Sequence, residues 1–135
     1  MLKRSIRRAA LAAFVACKLV VAAPPALAAV RDYEFLLLQT EFRAGDDVVI
    51  KVGLIDKRAG TPVSDAVIFA RRIDMAPDGM PTMDAPLQVL PPEEPGVYRF
   101  ATALLMDGGW ELSLAAKVQG EEGTVTAKLL ITAVP

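Results

Sequence analysis

In the last third of the chain, apolar and polar residues alternate almost without a break. Trp110, Leu112, Leu114, Ala116 and Val118 fall on one side of a period-2 pattern, against Glu111, Ser113 and Lys117. Val125, Ala127, Leu129 and Ile131 repeat it against Thr124, Thr126, Lys128 and Thr132. Successive side chains of a strand point to opposite faces, so such runs specify strands with one buried face. Tyr98, Phe100, Thr102 and Leu104 make a third run, against Arg99, and Asp107-Gly108-Gly109 predicts the hairpin turn that follows. Helices need a period of 3.6, and no sustained run of that kind is present after residue 28.

The upstream half reads the same way. Residues 33–40 form a mostly apolar first strand, and Ala44-Gly45-Asp46 turns the chain. Residues 48–55 follow, with Val48, Ile50, Val52 and Leu54 on one face. A polar turn at residues 56–60 leads to residues 63–75, one strand or two, with Ala66-Val67-Ile68-Phe69-Ala70 as the apolar centre. Residues 77–86 are rich in Pro, Gly, Asp and Met and predict an irregular loop, and residues 87–90 a short strand before Pro91-Pro92. About seven short strands with turns between them predict an all-β, immunoglobulin-like antiparallel sandwich. Tyr98, just after Pro95-Gly96, is placed like the tyrosine corner of such sandwiches, a structural role in which the hydroxyl ties back to upstream backbone.

The N-terminus is of another kind. Lys3, Arg4, Arg7 and Arg8 precede a run from Ala9 to Val21 that is apolar apart from Lys18. Pro24-Pro25 and Ala26-Leu27-Ala28 then complete the pattern of a cleaved signal peptide. The expected division is residues 1–28 as signal peptide and 29–135 as one sandwich domain, periplasmic or secreted. Lys18 and the prolines interrupt a stretch already short for a membrane span. Phe14-Val15-Ala16-Cys17 is a poor lipoprotein box, so a lipid on Cys17 is the lesser alternative.

Cleavage changes what chemistry remains. Five of the 15 basic residues and none of the 16 acidic ones lie in residues 1–28, so the remainder carries a net charge of −6. An acidic domain lacks the basic footprint that phosphate demands, which argues against nucleic acid. The chain has no histidine, and its single cysteine, Cys17, leaves with the signal. The commonest general base, the thiol nucleophile and the ligands of a conventional zinc site are therefore missing, and the expectation is no enzyme. Glu93-Glu94 and Glu121-Glu122 sit beside turns without the spacing of a calcium loop, and no small-molecule substrate is identified.

The methionines are the remaining candidates. Met75, Met80 and Met83 fall within nine residues, and Met106 precedes the Asp107-Gly108-Gly109 turn that Trp110 follows. Thioethers are soft, neutral ligands suited to Cu(I) or Ag(I) outside the cytoplasm. Asp74, Asp78 and Asp84 lie among them and would favour a cation, and the indole of Trp110 could cap it. Methionine is equally an adaptable core filler or a partner surface, and Trp110 also reads as a core residue. Arg71-Arg72 reads as a solvated strand end.

Four stretches carry a resemblance: Gly45-Asp46-Asp47-Val48-Val49-Ile50-Lys51-Val52, Gly60-Thr61-Pro62-Val63-Ser64-Asp65-Ala66, Pro95-Gly96-Val97-Tyr98-Arg99-Phe100 and Met106-Asp107-Gly108-Gly109-Trp110-Glu111-Leu112. With the methionine segment they resemble the YtkA-like/FixH-like family of exported immunoglobulin-like domains. The resemblance implies a small sandwich outside the cytoplasm, without enzymatic activity, among relatives near copper handling, heavy-metal efflux and cytochrome oxidase assembly. It implies Met75, Met80, Met83 and Met106 as metal ligands. The expected function is a non-enzymatic accessory that binds Cu(I) or Ag(I) weakly and passes it to a membrane-bound efflux pump or oxidase-assembly protein. The alternative is a metal-independent module that docks on such a partner.

Overall fold

The computed structural model describes residues 30–135; the expected signal peptide and Cys17 lie outside them. After a single 3₁₀ turn at Val30–Asp32, the chain forms ten strands: β1 (Tyr33–Leu37), β2 (Glu41–Arg43), β3 (Gly45–Asp56), β4 (Thr61–Pro62), β5 (Val67–Met75), β6 (Met80–Ala85), β7 (Leu87–Leu90), β8 (Val97–Leu104), β9 (Gly108–Lys117) and β10 (Val125–Val134). They make two five-stranded sheets. One has the order β1-β3-β8-β7, with β4 on β3; the other has the order β2-β10-β9-β5-β6. This is the expected immunoglobulin-like sandwich, with more strands than the sequence pattern shows. The added ones are short (β2, β4) or built from the segment expected as a loop (β6). The pairings are antiparallel except β2 with β10, which is parallel.

The alternating runs do what their period requires. Trp110, Leu112, Leu114, Ala116 and Val118 are all buried, as are Val48, Ile50, Val52 and Leu54 from the other sheet. Phe35, Phe100, Leu104 and Ile131 complete the layer between the sheets. Twice the chain changes sheet within what is nearly one strand. It passes from β2 to β3 at Ala44, whose N–H donates to the Val134 carbonyl at 2.7 Å, and from β6 to β7 at Pro86.

The tyrosine corner is present. The Tyr98 hydroxyl donates to the Val63 carbonyl at 2.8 Å and accepts from the Ala66 N–H at 3.2 Å. The turn before it needs glycine. Gly96 has φ 72°, a Cβ there would overlap Pro62, and its carbonyl accepts from the Leu54 N–H at 2.8 Å.

One expectation fails on β5. Ala66-Val67-Ile68-Phe69-Ala70 is not the buried centre: Val67 is 60% exposed and Phe69 55%. The buried residues of β5 are Ile73, Asp74 and Met75. A register shift between Ile68 and Ala70 against β9 breaks the alternation, and the first half of β5 lies along the open side of the sandwich, facing β7.

Candidate functional site

The methionine segment is a hairpin tip and an edge strand rather than a loop. β5 ends at Met75, a 3₁₀ turn covers Ala76–Asp78, and β6 starts at Met80, which pairs with Met75. Local chemistry explains the turn. Pro77 sits in its first positions, where a missing N–H costs nothing, and Gly79 closes it in the left-handed region at φ 75°. The Asp74 carboxylate accepts from the Ala76 N–H at 2.9 Å and holds the entry.

This tip is docked on the turn between β8 and β9. The Gly109 N–H donates to Asp78 Oδ2 at 3.0 Å. Gly108, at φ 130°, lies so close that a Cβ would strike the Asp78 carboxylate and come within 3.1 Å of Met75 Cε. The two glycines therefore serve this approach as well as the hairpin. Trp110 Nε1 donates to the Met106 carbonyl at 3.0 Å and ties the far side of the turn. Topology thus brings the Met75–Met80 pair and Met106 to the same end of the sandwich, with Met83 one residue before the Asp74–Asp84 pair.

The side chains are not equivalent. Met75 has 0% exposure and belongs to the core. Met80 is partly buried against that core. Met83 and Met106 are 40% and 39% exposed. Trp110 is 3% exposed, so its indole packs in the core instead of standing over an open site as a cap. The carboxylates are also less available than their spacing suggests. Arg72 binds Asp74 Oδ2 at 2.9 Å, Asp84 Oδ2 at 3.3 Å and the Pro81 carbonyl at 2.7 Å. It is a clasp across β5 and β6, not a solvated strand end. Burial would raise the Asp74 pKa, but the hydrogen bonds from Ala76 and Arg72 outweigh it and hold the carboxyl below its ordinary value.

Among the described residues no group of three or more His, Cys, Asp or Glu side chains is placed to hold a metal ion. The soft donors at this corner are thioethers, and the Asp78 carboxylate beside them is taken up by the Gly109 N–H. Thioethers suit a soft, weakly held monovalent ion and do not suit a hard or borderline cation, which would need oxygen or imidazole. The clasp at Arg72 was missed by sequence reasoning, because its partners depend on the β5–β6 register.

Two packed sheets, a tyrosine corner and a turn-on-turn end define a small immunoglobulin-like sandwich domain. The family model described as YtkA-like matches residues 27–115. The chain belongs to the YtkA-like family, and membership fits an exported accessory domain. No curated protein matches the sequence. Among solved structures, the Lin-41 filamin domain is similar at 17% identity and a TM-score of 0.48, over 78% of this chain and 95% of that one. The ZirS C-terminal domain is similar at 12% identity and 0.45, over 100% of this chain and 88% of that one.

Proposed function

We propose that this is an exported, non-enzymatic accessory in heavy-metal handling, which binds Cu(I) or Ag(I) weakly and passes it to a membrane-bound efflux or oxidase-assembly partner. What supports the reading is the docking of the β5–β6 tip on the β8–β9 turn, which gathers the methionines at one end of the sandwich. Met83 and Met106, which are exposed, and the partly buried Met80 would be the ligands. Met75 joins them only by leaving the core. Trp110 then serves as a reporter through its bond to Met106. Neutral thioethers on a docked turn favour exchange over storage, because the ligands themselves carry no charge to hold the ion.

The test is a Cu(I) competition titration of residues 29–135, which hold every described strand, read also by Trp110 fluorescence. Stoichiometric binding lost on Met80→Leu with Met83→Leu, with folding intact, is the expected result. No binding at micromolar Cu(I), or binding that survives both replacements, refutes the site.

A further inference from the structure

The edge of β5 carries a second site. β9 pairs with β5 from Val67 to Asp74 on one side. On the other side β6 pairs only with Ile73, Asp74 and Met75. Residues 67–72 therefore have one side of their backbone without a ladder partner, which is a template for another strand.

Among the described strands at the other sheet edges, β1 keeps an ordinary length of five residues, and the rest are blunted. β2 has three residues, β4 two, β7 four before Pro91-Pro92, and β6 carries Pro81. Residues 67–72 contain no proline and keep Val67 and Phe69 exposed.

Two adjoining cavities lie along this edge. One, of about 510 Å³, opens between the sheets and is walled by Ile68, Val89, Phe100 and Tyr98, an apolar surface. The other, of about 490 Å³, is walled by Phe69, Arg71, Asp84 and Leu87 and is mostly polar. Their shared wall is β5. The groove is thus mostly apolar at one end, where Glu93, Glu94 and Arg99 also line it, and mostly polar at the other.

Arg71 is the cation left at the polar end of the groove, where Arg72 and Asp84 pair with each other. It pairs in register with Leu114, so it stands on the sheet's inner side, and its Nε reaches the Leu87 carbonyl across the gap at 3.5 Å. Arg72 spends its charge on Asp74 and Asp84, whereas Arg71 has no carboxylate partner among the described residues. A second copy of this chain is the wrong occupant, because edge-to-edge pairing would put the arginines of both copies on one short stretch.

We propose that residues 67–72 take up an extended peptide from a partner by strand addition, with an apolar side chain in the Ile68–Val89 cavity and a carboxylate on Arg71. Main-chain hydrogen bonds supply affinity, and the two cavities select side chains on the one face of the peptide that looks inward, at positions separated by an even number of residues. The site lies along the open side of the sandwich and does not depend on the metal reading.

The probe is a capped heptapeptide, Val-Thr-Val-Thr-Glu-Thr-Glu, whose valines and glutamates share one face, titrated with chelator present into labelled residues 29–135 and followed by backbone amide shifts. Saturable binding below about 1 mM is expected, with shifts confined to residues 67–72 and 87–90. Arg71→Glu, an exposed position that leaves the fold intact, should weaken it by about tenfold and improve binding of the valine–lysine peptide. A valine–glutamate peptide with N-methylated valines should not bind, because the ladder needs its N–H groups. No binding at 1 mM, equal binding of the lysine or N-methylated peptide to the unmodified chain, indifference to Arg71→Glu, shifts along β1 or β2, or self-association through β5 would each overturn the proposal.

Discussion

Replacing Tyr98 with phenylalanine isolates one hydroxyl in the tyrosine corner. The ring stays, so the apolar surface packed against the core is unchanged. The hydroxyl's two bonds are lost: donation to the Val63 carbonyl at 2.8 Å and acceptance from the Ala66 N–H at 3.2 Å. A typical hydrogen bond contributes about 0.5–1.5 kcal/mol net. Val63 is buried, whereas Ala66 is partly open and water replaces some of what it loses. The expected loss is about 2 kcal/mol, which for a domain of this size lowers Tm by about 8–15 °C. Urea and thermal unfolding read by Trp110 fluorescence measure it, since that single tryptophan is 3% exposed in the fold. The urea midpoint should fall with an unchanged slope. Tyr33→Phe is the control: its hydroxyl meets Glu121 at 3.0 Å at the surface and holds no upstream backbone. A loss below about 0.5 kcal/mol for Tyr98→Phe, or one no larger than the Tyr33 control, would refute the claim that this hydroxyl fastens the β4–β5 connection.

Thr102 is 6% exposed and its Oγ1 has no hydrogen-bond partner, so Thr102→Val should stabilise by about 1 kcal/mol in the same urea experiment. Gly108→Ala forces a Cβ onto Asp78 at a φ that favours glycine; a loss of about 1–3 kcal/mol is expected, with changed Met75 and Met106 methyl NMR signals. Asp74 has a folded pKa below its ordinary 3.8, so its contribution is present above that value and fades as pH falls through the lower folded one. Urea midpoints between about pH 2 and 6 should therefore drop at the acid end, and drop less for Asp74→Asn.

The β8, β9 and β10 strands were legible because each buries one face, and a period of 2 records that directly. Tyr98 was legible because Pro95-Gly96 announces the turn before it. β5 was not: Val67 and Phe69 look like core, and only the shift between Ile68 and Ala70 turns the stretch outward. A bulge leaves no mark in composition. β6 was hidden by its own turn-forming residues, Pro81 and Asp84, which an edge strand tolerates. At the candidate site, the meeting of the Met75 and Met106 turns was foreseen as a condition, and the core reading of Trp110 followed from its place in the alternation, but nothing in the spacing singled out Met75 as the buried methionine. Spacing can bring thioethers together; which way each points depends on the register of β5 against β6. Arg72 shows the same limit, since none of its three partners is identifiable before the hairpin is closed.

Met75 decides how many thioethers the corner can offer. Its side chain has 0% exposure and lies within the core. Removing a methionine from such a site forfeits about 1.5–3 kcal/mol of burial. If the ion drew Met75 out, that loss would come off the binding free energy and weaken affinity by about 10- to 150-fold against a preformed site. In the proposed site, three thioethers from Met80, Met83 and Met106 would avoid the cost, and the ion would sit in a shallow position. Met75→Leu separates the two cases, because leucine keeps the volume and costs less than about 1.5 kcal/mol of stability. Cu(I) affinity should stay within about threefold of the unmodified chain, while Met106→Leu lowers it by about tenfold or more. A tenfold loss on Met75→Leu, with Tm held within a few degrees, would mean that the tip opens around the ion. The Asp78–Gly109 bond that docks it would then act as the latch.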